Sequence, residues 1–254
     1  MTWNAIILAA GRGPEDRMAK AYGVANKCVI PVAGVPMLAR VAAALEQSGA
    51  VAATIIAIEN RSIATAILGE GAVTTASANS APASVMRAIA QGAIAYPILI
   101  TTADHPLLTP AMIRYFCQYA EQSGADVAVG LASAETILAA YPQSIRTFFK
   151  LGKSRVSGCN LFALRSPRGL RLLERWQYLE QIRKKPWRLI AAFGVIPLLR
   201  YATGSLSLDQ AFATVSAKLD LVAKPILMPF AEAAIDVDKP ADKELAEEIL
   251  AKRR

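Results

Sequence analysis

Short apolar runs alternate along the chain with segments whose apolar residues recur every three or four positions. Ala5–Ala10, Ala52–Ile58, Pro97–Thr102, Asp126–Leu131 and Cys159–Leu164 are runs of strand length. Between them, Val35–Gln47 places Met37, Leu38, Val41, Ala42 and Leu45 on one helical face, and Pro82–Ala93 reads as a second helix. Thr109-Pro110 pairs an N-cap hydroxyl with proline at the first helical position, predicting a helix to about Gln122. Ser166–Lys185 reads as a long helix with a basic end. Ser207-Leu208-Asp209-Gln210 is a capping-box pattern. Pro225–Asp238 contains a late strand, and Pro240–Lys252 a final helix with acids early and bases late, as the helix dipole prefers. Strands apolar on both faces and spaced by helices predict a three-layer α/β/α fold around a mostly parallel mixed sheet. Without repeats, low-complexity tracts or a linker, one domain over residues 1–254 is the simplest reading, with Leu131–Asp220 its more irregular half.

Composition narrows the class. With 54% hydrophobic and 19% charged residues, the 254-residue chain is neither disordered nor collagen-like. A net charge of +8 favours anionic partners: nucleotides, phosphorylated substrates, nucleic acid or a membrane surface. No recognisable nucleic-acid module is present, so nucleic acid is not an expected partner. Mean hydropathy is +0.34, yet no apolar run reaches the roughly 18 residues of a spanning helix. Met1–Asn4 carries no basic residue before the apolar run, so no signal peptide is expected and the reading is a soluble cytoplasmic protein. Cys28, Cys117 and Cys159 are odd in number and set among apolar residues, which predicts buried thiols rather than a disulfide framework or a zinc site.

Three motifs carry chemistry. Leu8-Ala9-Ala10-Gly11-Arg12-Gly13 follows the first strand; it is either a tight turn or a loop whose backbone N–H groups cradle phosphates. It is neither a Walker loop nor the dinucleotide fingerprint, since Gly-Lys-Ser/Thr and the third glycine are absent. Arg12, Arg17, Lys20 and Lys27 lie in one loop-like stretch, enough charge for a triphosphate. Asp104, in Thr101-Thr102-Ala103-Asp104-His105-Pro106, sits at the carboxyl end of a strand, where open α/β sheets bind ligands. It either caps the turn or holds a divalent cation. In Ala234-Ile235-Asp236-Val237-Asp238-Lys239-Pro240, the two aspartates share one face of an extended chain, a repulsive pairing that a metal relieves, or one of them caps the last helix. The single histidine, His105, is read as a turn residue.

Together these motifs resemble the MobA-like NTP transferase family, nucleotidyltransferases with a GT-A/Rossmann-like fold. The shared residues are Leu8-Ala9-Ala10-Gly11-x-Gly13, a following Lys, Pro31-x-x-Gly34-x-Pro36-Met37-Leu38, the Asp104 pattern and the late Asp236/Asp238 pattern. The resemblance covers nearly the whole chain except residues 184–224. The loop departs from the family pattern through the longer Pro14-Glu15-Asp16 stretch, which offers Lys20 as well as Lys27; the downstream Pro-Val-Ala-Gly favours Lys27. The resemblance implies a nucleotide site of Leu8, Ala9, Ala10, Gly11, Arg12, Gly13, Lys27, Ser80 and Asp104. It implies Lys27, Arg12 and Asp104 as catalytic residues, and Mg²⁺ (or Mn²⁺) held by Asp104, Asp238 and Asp236. On the acceptor side, where a helical insertion is expected at about 165–224, Asn160 would hold hydroxyls. Arg146 and Lys150, in a basic cluster with Lys153 and Arg155, would hold a phosphate unless they form a solvated face.

The activity implied is transfer of a nucleoside monophosphate from an NTP to a phosphorylated small-molecule acceptor, with release of pyrophosphate. Two alternatives stand beside it: a nucleotide-sugar-dependent GT-A glycosyltransferase, whose Asp-x-Asp pair normally lies mid-chain, and a non-catalytic nucleotide-binding protein, in which loss of carboxylates is expected. Neither the base, the acceptor nor the choice between monomer and homodimer is written in the sequence. One further stretch stands out: Leu189–Leu199 is apolar, helix-like at least up to Pro197, and flanked by Arg183-Lys184-Lys185-Pro186-Trp187-Arg188 and Arg200-Tyr201. It reads as a buried helix, a dimer contact or a peripheral membrane contact.

Overall fold

The first apolar run, β1 (Trp3–Leu8), becomes an interior strand of the sheet. The computed structural model describes residues 2–11, 13, 16–144, 146–179, 186–192 and 194–253. β4 (Val51–Ile58) pairs parallel with one side of β1 and carries β5 (Thr74–Ala76) beyond it. β6 (Ile98–Thr102) pairs parallel with the other side. Next come β9 (Ser154–Leu164), antiparallel to both its neighbours, then β7 (Val127–Ser133) and β10 (Ala223–Leu227), parallel to each other. β8 (Phe149–Leu151) extends β9 as a hairpin, and β2 (Pro31–Val32) and β3 (Val35–Pro36) form a separate small hairpin. The mixed, mostly parallel α/β sheet expected from the pattern is the one observed.

Alternation along β1 assigns the layers. Trp3, Ala5 and Ile7 face α2 (Met37–Gln47), α3 (Arg61–Leu68) and α5 (Pro110–Gln122). Ile6 faces the opposite layer of α4 (Ala81–Ala90), α7 (Leu170–Leu179) and α10 (Leu208–Leu219). Burying each large aliphatic side chain stabilises by roughly 1.5–3 kcal/mol, so a one-residue slip of β1 would exchange both layers at once. A third cluster, Met18, Ile30, Met37, Ile235 and Val237, joins α1 (Arg17–Ala21) and the small hairpin to α11 (Pro240–Lys252). The chain runs from β1 to β4 and β5 on one side and then crosses to β6 on the other. That reversal opens a crevice at the carboxyl ends of β1 and β6, where Leu8 lies opposite Thr102.

Several boundaries differ from expectation, each for a local reason. The expected loop from Arg12 to Lys27 contains α1, because the Asp16 side chain accepts the N–H groups of Met18 and Ala19. The late strand ends at Leu227 and a short 3-10 turn, Ala231–Ala234, follows it. Asp236 and Asp238 therefore sit on an extended segment outside the sheet, with Ile235 and Val237 buried on the other side. Neither aspartate caps α11; Lys239 is its N-cap residue, and Asp242 accepts the Lys239 N–H at 2.9 Å. Of the long helix expected over 166–185, the described residues show a 3-10 turn, Pro167–Gly169, and then α7, while residues 180–185 lie outside those described. The 189–199 helix is two: α8 (Pro186–Ala191) and α9 (Val195–Ala202). Gly194, at φ +124°, breaks the path, and Pro197 lies in the first turn of α9, where its missing N–H has no partner to lose. α6 (Ala134–Ala140) completes the helices described. The three cysteines are buried free thiols, as expected.

Candidate active site

A cleft of about 300 Å³ opens at the crevice between β1 and β6. Leu8, Ala9, Ala10, Gly11, Lys27, Ser80 and Asp104 line it, together with Asn26, Asn79 and Ser84. The structure thus brings together most of the residues assigned to the nucleotide from the sequence. Gly13, at φ +63°, is exposed and lies outside that lining. Arg12 lies outside the described residues.

Each wall has a local cause. Asn26 holds the glycine loop: its amide donates to the Ala9 carbonyl and to Glu59 Oε1, both at 2.8 Å, and its oxygen accepts the Cys28 N–H. That last bond caps the 3-10 turn Lys27–Val29, which aims Lys27 at the cleft. Glu59, immediately after β4, accepts the Gly11 N–H at 3.1 Å. A Cβ at Gly11 would lie 3.1 Å from Glu59 Oε1 and 3.4 Å from the Asn26 amide, so a side chain there would press on the two groups that hold the loop. On the facing wall Ser80 is the N-cap of α4 and accepts the Ala83 N–H at 3.3 Å, as an ordinary helix start does.

At the floor, Lys27 is buried and its ammonium lies between two carboxylates, Asp104 Oδ2 and Asp238 Oδ1, the second at 2.7 Å. Burial works against the ammonium, but Asp104 and Asp238 outweigh it and hold the Lys27 pKa above its ordinary value. Lys20 is exposed on α1 and outside the cleft, so Lys27 is the lysine of this site. Asp104 and Asp238 come from distant parts of the chain and are joined by the backbone as well, through Val237 N–H to the Asp104 carbonyl at 2.8 Å.

A model of the MobA-like NTP transferase domain matches residues 5–192. The chain belongs to this family. It is a nucleotidyltransferase-type enzyme. Among solved structures, a hypothetical transferase from Thermus thermophilus is similar at 26% identity and a TM-score of 0.80, covering 96% of this chain and all of that one. A CMP:2-keto-3-deoxy-manno-octonic acid synthetase complexed with CTP gives 14% identity and a TM-score of 0.62, covering 100% of both chains. The 2-C-methyl-D-erythritol 4-phosphate cytidylyltransferase from Thermus thermophilus gives 18% and 0.54, covering 99% of this chain and 100% of that one. These last two likenesses establish the fold. No curated protein matches the chain.

In this transferase, Asp236 is held differently from its neighbours. Arg146 donates to Asp236 Oδ1 and to its carbonyl, the latter at 3.0 Å, and Asn160 donates to Oδ2 at 3.1 Å. Arg146 also lies 3.9 Å from Asp242. Burial, with Asp104 and Asp238 nearby, pushes the Asp236 pKa up against the pull of Arg146. Both Asp236 oxygens are therefore engaged, and Arg146 and Asn160, expected at an acceptor, are hydrogen-bonded here to that carboxylate. Lys150 is exposed on β8, opposite Arg155, and separate from this group.

Asn160 reaches Asp236 because β9 bulges. The register with β7 jumps from Val129↔Phe162 to Leu131↔Gly158, leaving Cys159–Leu161 opposite Gly130. Asn160 adopts φ +50°, the left-handed region, which turns its side chain out of the strand alternation. Gly130 permits this, since a Cβ there would lie 3.1 Å from the Leu161 Cβ.

His105 is buried and neutral, with its pKa lowered to about 4 by burial. Its Nε2 lies 3.3 Å from the Glu232 carbonyl, tying the Asp104 loop to the turn before Asp236. Sequence reasoning missed Asn26, Glu59 and the Arg146–Asp236 pair. Glu59 was findable, since it directly follows the carboxyl end of a predicted strand beside β1.

Proposed function

We propose that the protein transfers a nucleoside monophosphate from an NTP to a phosphorylated small-molecule acceptor, with Mg²⁺ (or Mn²⁺) held by Asp104 and Asp238. The observation that carries this reading is the meeting of Asp104, Asp238 and Lys27 beside a glycine-walled cleft.

The residues fit a divalent cation. Asp104 Oδ1 is buried with no hydrogen-bond partner among the described residues. Asp104 and Asp238 converge on one ammonium, Lys27, so two carboxylates already point at a single cationic position. Among the described residues no group of three or more His, Cys, Asp or Glu is arranged to hold a metal by itself. Mg²⁺ needs no such group, since one or two carboxylates with waters and substrate phosphates complete its octahedron. When bound it would neutralise the phosphate charge.

The chain's own residues do the rest. The glycine loop lets the triphosphate approach backbone-first, and Lys27, freed from its carboxylates as the substrate enters, meets phosphate oxygens. An oxygen of the acceptor phosphate attacks the α-phosphorus; the bond to the β-phosphate bridging oxygen breaks, and pyrophosphate leaves. Such an acceptor is already ionised near neutral pH, so no general base is required, and the buried neutral His105 has no part in the chemistry. Positioning and charge neutralisation supply the rate. Lys150, Lys153 and Arg155, exposed on the β8–β9 hairpin, are the members of the basic cluster that would meet an acceptor phosphate.

The test is a thermal-shift panel of ATP, GTP, CTP and UTP with and without Mg²⁺, followed by a pyrophosphate-release assay with phosphorylated acceptors. A ligand at about 100 times its Kd stabilises the native state by about 2.7 kcal/mol, a readable shift. One nucleotide is expected to shift the melting temperature in a Mg²⁺-dependent way. A shift that Asp104→Asn and Asp238→Asn both leave unchanged overturns the metal assignment, and no shift with any nucleotide overturns the reading.

A further inference from the structure

α9 contributes nothing to the core: none of its residues is buried. Val195 is 70% exposed, Ile196 67% and Leu199 59%, and Trp187 on the adjoining α8 is 51% exposed. Residues 195, 196 and 199 are one, three and four apart, so they share one helical face. Four large apolar side chains in two packed helices are more than the scattered exposure usual for a surface, and a patch of this kind marks an interaction site.

Along this part of the sequence the charge is one-sided. From residue 181 to residue 208 the sequence holds Arg183, Lys184, Lys185, Arg188 and Arg200, and no acid. Arg200 follows Leu199 and is exposed. The Lys218 ammonium, from α10, lies 3.6 Å from where a Cβ on Gly194 would sit, beside the start of α9. An apolar face with an indole and basic residues around it has the make-up of an interfacial helix. No helix among the described residues is long and apolar enough to cross a membrane, so such a face would lie on a bilayer and not span it.

The geometry points to α8 and α9 as a docking surface for an anionic lipid bilayer, with Trp187, Val195, Ile196 and Leu199 entering the headgroup–acyl boundary and Arg200 and Lys218 meeting lipid phosphates. A second copy of the chain would have to accept the same concentration of positive charge on both sides of a two-fold contact, which repels. Anionic headgroups match it.

The experiment is sedimentation of the full chain with vesicles of phosphatidylcholine alone and of phosphatidylcholine with phosphatidylglycerol in equal parts, at low and at high salt. The protein is expected to bind the anionic vesicles at least tenfold more tightly than the neutral ones, to lose most of that preference at high salt, and to show a blue-shifted tryptophan emission on binding. Ile196→Asp and, separately, Leu199→Asp are expected to weaken binding at least tenfold without lowering the melting temperature, since both side chains are already in water. Trp187→Phe is expected to remove the emission shift. Failure to bind anionic vesicles overturns the proposal, as does binding that neither aspartate variant changes. So does an Ile196→Asp variant that turns a dimer into a monomer while vesicle binding stays the same, because the face would then be a contact between copies.

Discussion

The cleft at the ends of β1 and β6 and the helical segment from α7 to α10 use similar apolar residues in opposite ways. Around the cleft, strand and helix faces are consumed by the core: Ile6 and Ile7 of β1, Leu38 and Leu45 of α2, and Ile113 and Phe116 of α5 are all fully buried. What lines the cleft there is mostly turn and loop, which carry Gly11, Lys27, Ser80 and Asp104. In the helical segment, α7 and α10 set Leu173, Phe212 and Leu219 on the sheet, but no residue of α9 between them is fully buried. A region whose apolar surface is fully matched by the sheet holds its polar groups rigidly, which charge-stabilising catalysis requires. A region with apolar surface left over is shaped for something outside the molecule.

The largest expected effect tests that division directly. Asp104→Asn and Asp238→Asn should each lower nucleotidyl transfer by about 10²–10³-fold, the range seen when a preorganised electrostatic group is removed. Ile196→Asp should leave turnover of soluble substrates within about twofold, since it lies on the other region. Pyrophosphate release under saturating NTP reads both. Equal losses in the two sets would mean that the regions are one functional unit.

The next effect is on stability. His105 has an ordinary pKa of 6.5, lowered in the fold to about 4. The unfolded chain therefore takes up the proton first as pH falls. The contribution is fully present above about pH 6.5 and is lost progressively towards pH 4, amounting to about 3 kcal/mol at about 1.36 kcal/mol per unit. In urea unfolding, the stability difference between the wild type and His105→Leu should accordingly shrink between pH 7 and pH 4.5. A difference that is independent of pH would show that the imidazole is hydrated in the fold.

The same contrast explains what was legible in the sequence. The β1, β4 and β6 runs and the α2 and α5 periodicities are readable because each residue's burial follows from local alternation, so the sheet and its cleft could be inferred together. Lys27 and Asp104 were placed by motif and now meet at Asp238, a contact between the first and last parts of the chain. Local pattern says nothing of Arg146 and Asn160. Asn160 reaches their shared partner, Asp236, through a bulge opposite Gly130, and a bulge is a property of two strands in register, not of either sequence alone. The split at Gly194 was missed because the apolar run there is continuous. Hydrophobicity predicts a helix through it, but a glycine at positive φ can break a helix without breaking the apolar pattern.

Gly130→Ala is a smaller perturbation of the cleft region. A methyl 3.1 Å from the Leu161 Cβ must push β9 aside, and overpacking of this kind costs about 1–3 kcal/mol. If the bulge exists to aim Asn160, the variant should also lose more activity than its stability loss explains, because Asp236 would keep Arg146 but not its second donor. Comparing it with Asn160→Ala checks this: the two should lower kcat by a similar factor, and the double variant should lower it little further.

The smallest effect sharpens the comparison most, because it applies one chemical change to both regions. Thr109 caps α5 by accepting the Met112 N–H at 3.3 Å, and Ser207 caps α10 by accepting the Gln210 N–H at 3.2 Å. Replacing either by alanine removes a cap worth about 1 kcal/mol. α5 lies across the main core through Ile113, Phe116 and Cys117, so it can open only when the molecule does. Thr109→Ala should therefore lower the global unfolding free energy by the full amount. Of α10 only Leu208 is fully buried, and it adjoins α9, no residue of which is. If that segment opens by itself, Ser207→Ala should leave the global transition nearly unmoved and instead speed amide exchange in residues 208–219 by about fivefold, the factor about 1 kcal/mol gives. Hydrogen exchange read peptide by peptide separates the cases. Identical global losses from the two caps would show that α10 unfolds only with the sheet, and the contrast between the two regions would then concern exposed surface alone and not independent stability.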